Sequence, residues 1–366
     1  MDTLKIGFIG LGLIGGSIAK ALRASIPDIH ITVYDINGHT LQQAKKNGVA
    51  NHIVSAIDTS FSECSYIFLC APVSGNEENL LKIKHFLSPS CTLTDVGSVK
   101  SGIHSLIETL GLSAQFIGGH PMAGSERFGY ANSKARLLEN AYYILTPTKE
   151  TPSDRLENYR KLVTAMGAIP LVLNPGQHDY VTAAISHLPH IIASSLVNLV
   201  REQDSADGTM KMIAAGGFKD ITRIASSSPE MWQQICLTNT DNIVRLLDSY
   251  IDALSSLKEK LSEKDAHVLY DFFNNARLYR DSFIEASSGP IKKSYSLTID
   301  IADETGALAS IATTLALNSI NIKNIGIVHN RELEEGALRI EFYEESAVRA
   351  AASLLQDRGY TIYEKK

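Results

Sequence analysis

The sequence lacks the features that mark metal sites, disulfide frameworks and nucleic-acid-binding proteins. Its four cysteines form no CxxC pair and no zinc-site spacing, so we expect free thiols in a reducing compartment and no metal. The formal net charge is -6, whereas a general nucleic-acid or membrane-surface binder would need a basic face. Positive charge for an anionic ligand must therefore be supplied locally.

Long hydrophobic runs are also scarce, and the most apolar one is about long enough to span a bilayer. It covers 181–200, "VTAAISHLPHIIASSLVNLV", and contains two histidines, a proline and several serines. Those residues favour a buried helix of a soluble protein over a bilayer span. The opening "MDTLKIGFIGLG" has no basic segment or cleavage site typical of a signal peptide. We therefore expect a cytoplasmic protein.

The chain has 366 residues, of which 44% are hydrophobic and 20% charged, a composition typical of a globular protein with two or three domains. In residues 1–174, short apolar runs alternate with amphipathic stretches. Apolar runs without strict alternation are typical of strands that are covered on both faces. This part therefore predicts an α/β domain of Rossmann type with a doubly wound parallel sheet.

Residues 175–287 predict an all-helical domain for substrate binding and dimerisation. Apolar residues recur with the helical period in four segments, 177–201, 208–226, 230–257 and 259–286. Their large apolar surface indicates a bundle or an intertwined dimer. After a break at "EASSGPIKK", residues 294–366 predict the order βαββαβ of a ferredoxin-like domain.

The motif "GLGLIG" follows the first predicted strand and opens a helix. Its glycines allow a tight turn, backbone approach to a pyrophosphate, and close helix packing. Asp35 ends the second predicted strand. Its carboxylate can bind the adenosine ribose and would repel a 2'-phosphate, so NAD is favoured over NADP as the cofactor. The alternative is a glycine turn beside a surface aspartate. The predicted cofactor-binding residues are Gly10, Gly12, Leu13, Ile14, Gly15 and Asp35.

His120, within "GGHPMAGSE" (118–126), is the candidate acid–base residue. It comes at the end of a late predicted strand, and loops at the carboxyl ends of such strands face the crevice where a nicotinamide lies. Ser98, within "TDVGSVK", also follows a strand and can share that crevice, where its hydroxyl would bond to an imidazole nitrogen or to the cofactor. A structural loop histidine and a serine N-cap are the alternatives.

Two clusters in the helical part are candidates for substrate binding. In "SHLPHI", His187 and His190 lie three apart on one helix face, without an evident third metal ligand. Substrate-binding and core roles are equally compatible with them. In "GGFKDITRIA", Lys219 and Arg223 are four apart on one helix face, with Asp220 three before the arginine. This pattern indicates either a solvated charged face or a carboxylate clamp, because a guanidinium binds carboxylates bidentately.

Together these stretches resemble the bacterial prephenate dehydrogenase family, and the resemblance runs over the whole chain. It rests on "GLGLIGGS", "VYD", "DVGSVK", "GGHPMAGSE", "SHLPH" and "GGFKDITRIASSSPEMW". The last segment, with "DETGAL" at its first strand–helix junction, is similar to the amino-acid-sensing ACT module of many Gram-positive members.

The resemblance implies NAD-dependent oxidation of prephenate with loss of CO2, which yields 4-hydroxyphenylpyruvate, the precursor of tyrosine. It makes His120 the catalytic acceptor for the ring hydroxyl, with Ser98 orienting it. A neutral imidazole suits that task near pH 7. Arg223 would bind a substrate carboxylate, and tyrosine would be an effector of a homodimer. It also implies that His190 contacts the substrate and that Glu126 lies in an ionic network around the site. His187, Lys219 and Ser125 complete the predicted substrate-binding residues.

Three other functions remain open at this point. An arogenate dehydrogenase performs the same oxidation on the amino-acid form of the side chain. A 3-hydroxyacid dehydrogenase is expected to use a lysine base in the helical domain. Lys219 alone is weak evidence for this function. A sensor could bind NAD and an amino acid without turnover, although it would need neither His120 nor Arg223.

Overall fold

The computed structural model describes residues 3–72, 75–125, 127–285, 295–301, 304–328 and 337–363. Contacts between residues divide the chain into two compact units, Met1–Leu278 and Tyr279–Lys366. Each unit is described by itself.

The first unit begins with a parallel sheet of five strands in the order β3-β2-β1-β4-β5. Because the strand order reverses beside β1, a ligand crevice opens at the carboxyl ends of β1 and β4. The strands are β1 (Lys5–Ile9), β2 (His30–Tyr34), β3 (His52–Val54), β4 (Tyr66–Leu69) and β5 (Thr92–Asp95). The helices between and after them are α1 (Leu13–Ser25), α2 (Gly38–Lys46), α3 (Asn76–Ile83) and α4 (Ser101–Thr109).

Both faces of this sheet are covered by apolar side chains. Successive strand residues point to opposite faces, and neighbours on β1 accordingly belong to different buried clusters. Phe8 packs in one cluster with Val33, while Ile9 packs in the other with Leu69 and Leu93. Burial on both faces explains why the strands read as continuous apolar runs.

A second sheet follows, and the prediction of one doubly wound parallel sheet was wrong in this respect. The strands β6 (Ile117–Pro121), β7 (Tyr142–Pro147) and β8 (Ile169–Val172) form it, with α5 (Ser153–Ala165) between the last two. β6 is antiparallel to β7, which is parallel to β8. An isolated parallel bridge between Leu93 and Phe116 joins the two sheets. Apolar runs report burial but not the direction of the neighbouring strand.

The helical part starts with a helix of 29 residues, Pro175–Gln203. It consists of α6 (Pro175–Thr182), a π-helical turn (Ala183–His187) and α7 (Leu188–Gln203). Asn174 caps its start by accepting a hydrogen bond from the Gln177 amide (2.8 Å). The π turn ends two residues before Pro189, which has no amide hydrogen and whose ring needs space in the preceding turn.

By length and composition alone, this helix could cross a membrane, and core helices pass the same test. The sequence predicts a buried helix, but only 17% of its most apolar window is buried. The prediction of extensive burial was therefore wrong within this chain. Among the residues that the structure describes, none covers large apolar side chains of this helix such as Ile185 (61% exposed) and Leu199 (54% exposed).

The remaining helices are more broken than the periodicity predicts. The segment 208–226 divides into two short α-helices and a 3-10 turn, and the segment 230–257 is interrupted at Asn239. The helical period detects an apolar face but not a local break between two helices that share it. The elements are α8 (Thr209–Ile213), α9 (Gly216–Thr222), the 3-10 turn (Arg223–Ser226), α10 (Pro229–Thr238), α11 (Thr240–Glu263) and α12 (Ala266–Glu285).

The second unit contains an antiparallel sheet of four strands in the order β10-β11-β9-β12. In chain order its elements alternate as βαββαβ. Leu297, Ile340 and Leu355 are among the fully buried residues of its own core. The elements are β9 (Tyr295–Asp300), α13 (Ala307–Leu317), β10 (Ile322–Val328), β11 (Ala337–Phe342), α14 (Glu345–Gln356) and β12 (Ile362–Tyr363).

Candidate active site

The glycine-rich turn after β1 brings the backbone into close contact with the end of β4. Gly10 has a φ of +89°, and a Cβ added there would lie 2.7 Å from the Ala71 amide nitrogen. A Cβ on Gly15 would lie 2.9 Å from the Cys70 side chain, whereas one on Gly12 would meet nothing within 4 Å. Gly10 and Gly15 therefore need to be glycine, because a side chain would clash there. The open space at Gly12 leaves the backbone accessible to a ligand.

The N-terminus of α1 is suited to an anion. Gly12 is its N-cap residue, no side-chain cap is found there among the described residues, and the first turn contains no acidic residue. The amides of Leu13 and Ile14 in that turn therefore have no side-chain acceptor competing with a phosphate for the positive end of the helix. These features fit the pyrophosphate of a dinucleotide.

Asp35 follows the carboxyl end of β2 and is held beside the glycine-rich turn. One carboxylate oxygen accepts a hydrogen bond from the Leu11 amide (2.6 Å), and the other accepts one from the Asn37 amide (2.7 Å). Each oxygen retains a further lone pair, which can accept from a ribose hydroxyl. The side chain is half-buried, so its charge faces the cofactor region from a fixed position.

His120 lies inside β6, where it pairs with Ile144, rather than in the loop beyond the strand. Its strand packs tightly against the end of β5. A Cβ added to the preceding Gly119 would lie 2.7 Å from the backbone oxygen of Asp95. Because the bridge between the sheets is parallel, the ends of β5 and β6 lie on the same side. His120 is half-buried at that edge.

A chain of buried polar side chains stands behind His120. Its Nδ1 lies 2.8 Å from Nε2 of His178, and Nδ1 of His178 lies 2.8 Å from Oδ1 of Asp179. The side chains of His178 and Asp179 are 0% and 1% exposed. The same carboxylate accepts hydrogen bonds from the amides of Lys100 (2.7 Å) and Ser101 (2.8 Å). Asp179 of α6 therefore also caps the start of α4.

The surroundings keep His120 neutral. Burial lowers the pKa of His120 well below its usual range, and the nearby His178, Lys100 and His187 lower it further, against the opposing effect of Asp179. A neutral imidazole has one nitrogen that accepts a proton. His120 can therefore serve as a proton acceptor at neutral pH.

A buried ion pair lies beneath the histidine. Lys100 and Asp95 are 0% and 2% exposed at their side chains, and the Lys100 ammonium donates to Asp95 and to the Gly119 carbonyl (2.8 Å). Burial lowers the pKa of Lys100, while Asp95 and Asp179 oppose that shift. Since Gly119 precedes the histidine in β6, this pair anchors the strand that carries it.

Ser98 lies half-buried in the loop between β5 and α4. The alternative that it caps α4 is wrong, because the N-cap residue is Lys100. Ser125 is exposed, and its hydroxyl oxygen accepts a hydrogen bond from the Arg127 amide (3.1 Å). Glu126 lies outside the described residues.

His187 and His190 converge on Trp232. The His190 ring stacks on the indole at 3.7 Å between centroids, and the His187 ring meets it edge-on at 6.0 Å. The side-chain nitrogen of Asn239 lies 3.2 Å from Nδ1 of His187. Burial lowers the pKa of His187 to about 4. His187 is therefore neutral at pH 7, with Nδ1 accepting from Asn239 and its proton on Nε2.

Lys219 and Arg223 are both exposed. The expectation of one continuous helical face was wrong, because α9 ends at Thr222 and Arg223 opens the 3-10 turn, whose tighter winding changes the direction of its side chains. Both segments pack against α7, the helix that carries His190. His187 is close enough to His120 to lower its pKa. The segment that contains Arg223 lies beside the helix that carries His190.

Sequence reasoning missed four residues of this site: His178, Asp179, Lys100 and Asn239. The pair "HD" just after the helix start "NPGQ" was the available signal, since two neighbouring polar residues at the start of a largely apolar helix call for partners. Within the parts of the chain that the structure describes, no group of three or more His, Cys, Asp or Glu side chains is placed to hold a metal ion.

Comparison with known proteins identifies the family. The model "Prephenate dehydrogenase, nucleotide-binding domain" matches residues 18–171, and "Prephenate dehydrogenase, dimerization domain" matches residues 174–275. The prephenate dehydrogenase of Bacillus subtilis (strain 168) is 37% identical over 98% of this chain and 96% of its own length. The chain belongs to the prephenate dehydrogenase family. It is an oxidoreductase, and its cofactor is NAD.

Solved structures of the family agree with this assignment. The prephenate dehydrogenase of Aquifex aeolicus, solved with hydroxyphenyl propionate and NAD+, is 33% identical with a TM-score of 0.73, covering 77% of this chain and 99% of that one. The arogenate dehydrogenase of Synechocystis is 29% identical with a TM-score of 0.69, covering 76% of this chain and 100% of that one. The Rossmann-like nucleotide-binding domain and the helical domain predicted from the sequence are confirmed.

Proposed function

We propose that this protein oxidises prephenate with NAD+ and releases CO2, yielding 4-hydroxyphenylpyruvate for tyrosine synthesis. The observation that carries the proposal is a neutral, half-buried His120 at the carboxyl edge of the dinucleotide-binding part. Oxidation of a ring alcohol requires an acceptor for its hydroxyl proton, and a neutral imidazole is suited to this. Membership of the family supplies the substrate class.

Bound NAD+ would supply the hydride acceptor, held by the glycine-rich turn, the amides of Leu13 and Ile14, and Asp35. The remaining steps fall to this chain's own side chains. Nε2 of His120 accepts the proton of the ring hydroxyl, and Ser98 orients the two groups. As the carbonyl forms, the ring carboxylate leaves as CO2 and its bonding electrons make the ring aromatic. The proton then returns to the phenolic oxygen, so protons balance.

Substrate binding falls to side chains of the helical part and of the loop after β6. Arg223 binds a substrate carboxylate, because its guanidinium matches that group in shape and charge. His187 and His190 contact the substrate from the helix beside it. Lys219 supplies further positive charge, and Ser125 a hydroxyl, with Glu126 in the surrounding ionic network.

The decisive experiment mixes the purified chain with NAD+ and prephenate and follows the absorbance of NADH. We expect NADH to form, and its absence would contradict the proposal. Arogenate is assayed in parallel, since a related structure carries that activity in its name. A higher kcat/KM for arogenate would reassign the substrate. Binding of NAD and tyrosine without any turnover would favour the sensor.

The second unit is proposed to be a ferredoxin-like ACT module that binds tyrosine and inhibits the enzyme. A cavity of about 460 Å³ lies beside the start of α13, lined among others by Asp300, Thr305, Gly306 and Ser310. Oδ1 of Asp300 is buried and has no hydrogen-bond partner among the described residues. That carboxylate suits an ammonium group, and the start of α13 suits a carboxylate.

Tyrosine added to the whole chain should raise its melting temperature and reduce its activity, with alanine as the control amino acid. Asp300→Asn should weaken both effects while leaving the uninhibited rate unchanged. If tyrosine changes neither stability nor kinetics, the module serves another ligand or assembly.

We also propose a cytoplasmic homodimer with domains at 1–174, 175–287 and 294–366. The family description of residues 174–275 as a dimerization domain supports the dimer. Large apolar side chains that are exposed in the helical part also support the dimer; they include Ile185, Leu199, Met212, Ile213 and Leu237. Light scattering coupled to size-exclusion chromatography should give twice the mass of the chain.

A further inference from the structure

The hydrogen-bond chain behind His120 has a defined direction. At its far end, Asp179 receives three hydrogen bonds: one from His178 and two from the amides of Lys100 and Ser101. Burial alone would raise the pKa of Asp179, but the hydrogen bonds from His178, Ser101 and Lys100 lower it. Asp179 is therefore ionised near neutral pH, and an ionised carboxylate only accepts hydrogen bonds.

An acceptor at one end determines which nitrogens carry the protons. Because Asp179 accepts, Nδ1 of His178 must donate, and a neutral His178 then has a lone pair on Nε2. That lone pair faces Nδ1 of His120 at 2.8 Å, so Nδ1 of His120 carries the proton. The lone pair of His120 is then on Nε2, which has no hydrogen-bond partner among the described residues.

We propose that His178 and Asp179 are positioning residues that hold His120 in the tautomer whose Nε2 accepts the substrate's proton. The proposal rests on the proposed function, because it assigns these two residues to the same proton transfer. In the opposite tautomer, Nε2 of His120 would carry a hydrogen and could not act as a base. The two residues do not touch the reacting atoms; they act through His120.

The arrangement also couples the tautomer to the fold. Asp179 belongs to α6 of the helical part, yet it caps α4, which follows the Ser98 loop. Its own backbone carbonyl accepts a hydrogen bond from the side chain of Asn239 (2.8 Å). Hydrogen bonds thus hold both the side chain and the backbone of Asp179. A rigid acceptor of this kind keeps the imidazoles aligned without reorganisation during the reaction.

Two substitutions at one position separate the positioning role from simple packing. In His178→Gln, the amide oxygen can reach the place of Nε2 and accept from His120. In His178→Leu, no acceptor remains. The matched control is His104→Leu, at a half-buried histidine that bonds to the Thr146 hydroxyl (2.9 Å) and not to His120. Melting temperatures and NAD+ binding establish which variants are folded.

We expect His178→Leu to lose about 10²- to 10⁴-fold in kcat with little change in KM, because no acceptor then keeps the His120 proton on Nδ1 and a well-positioned base is lost. His178→Gln should recover most of that loss, and His104→Leu should keep the wild-type kcat while melting at a lower temperature. A wild-type kcat in folded His178→Leu would overturn the proposal. So would a folded His178→Gln that is as slow as the leucine variant.

A second measurement does not depend on catalysis. Nitrogen-15 NMR of histidine-labelled, ligand-free protein, with His120 assigned by its substitution, distinguishes protonated from unprotonated ring nitrogens. We expect a proton on Nδ1 and none on Nε2. A proton on Nε2 would refute the proposal even if His178→Leu fails to fold. If the wild type forms no NADH from prephenate, the substrate is wrong, while the NMR result still decides the tautomer.

Discussion

Removal of the buried ammonium of Lys100 should destabilise the first unit strongly. Lys100→Met keeps the length of the side chain but leaves the Asp95 charge and the Gly119 carbonyl without their buried donor. Breaking a buried ion pair by removing one partner costs about 3–5 kcal/mol. A loss of 1 kcal/mol lowers the melting temperature by about 2–4 °C in domains of comparable size, so we expect a decrease of about 6–20 °C.

Scanning calorimetry at pH 7 measures this change. The control is Lys82→Met, because Lys82 forms a pair with Glu78 in which the side chains are 48% and 72% exposed. Its melting temperature should hardly move, since water already solvates both charges. Adding Asp95→Asn to Lys100→Met should restore part of the lost stability, because the unpaired charge is removed as well. If Lys100→Met melts no lower than Lys82→Met, the ion pair does not stabilise the fold and the reasoning is refuted.

Four further predictions concern activity. His120→Asn should lose roughly 10²- to 10⁴-fold in kcat while still binding NAD+ in a calorimeter, and a near-wild-type kcat would end its assignment as the base. In the wild type, kcat/KM should fall only when the pH drops below 6.5, the ordinary pKa of histidine. The reason is that the base must be neutral and burial lowers the pKa of His120. A fall in kcat/KM that begins above pH 6.5 would contradict this. Arg223→Gln should raise KM for prephenate by roughly 10- to 100-fold through loss of a charged hydrogen bond, and a collapse of kcat at constant KM would show another role. Asp35→Asn should reduce the preference for NAD over NADP by about tenfold or more in kcat/KM, and an unchanged ratio would place the ribose elsewhere.

Much of the fold follows from local sequence patterns. The glycine-rich turn, Asp35 at the end of β2 and the βαββαβ order of the last unit are local features, and the structure places them where the patterns predict. The separation of β6–β8 into their own sheet was not predictable in this way. Strand direction depends on which neighbour a strand meets, and that neighbour is distant in sequence.

The candidate site shows the same limit. His120 could be nominated because its own sequence neighbourhood marks the end of a strand. His178 and Asp179 could not be connected to it, because they lie 58 and 59 positions further along the chain and the contact exists only after α6 packs beside β6 and α4. Lys100 and Asn239 depend on similar long-range contacts.

The sequence by itself determined the types of group available: a dinucleotide turn, a ribose-binding carboxylate, an imidazole and an arginine. Only the tertiary structure decided the protonation state and tautomer of that imidazole. The physical reason is that burial and hydrogen bonding act through space. Side chains from β6, α4 and α6 must be brought together before His120 loses its water and gains a fixed partner.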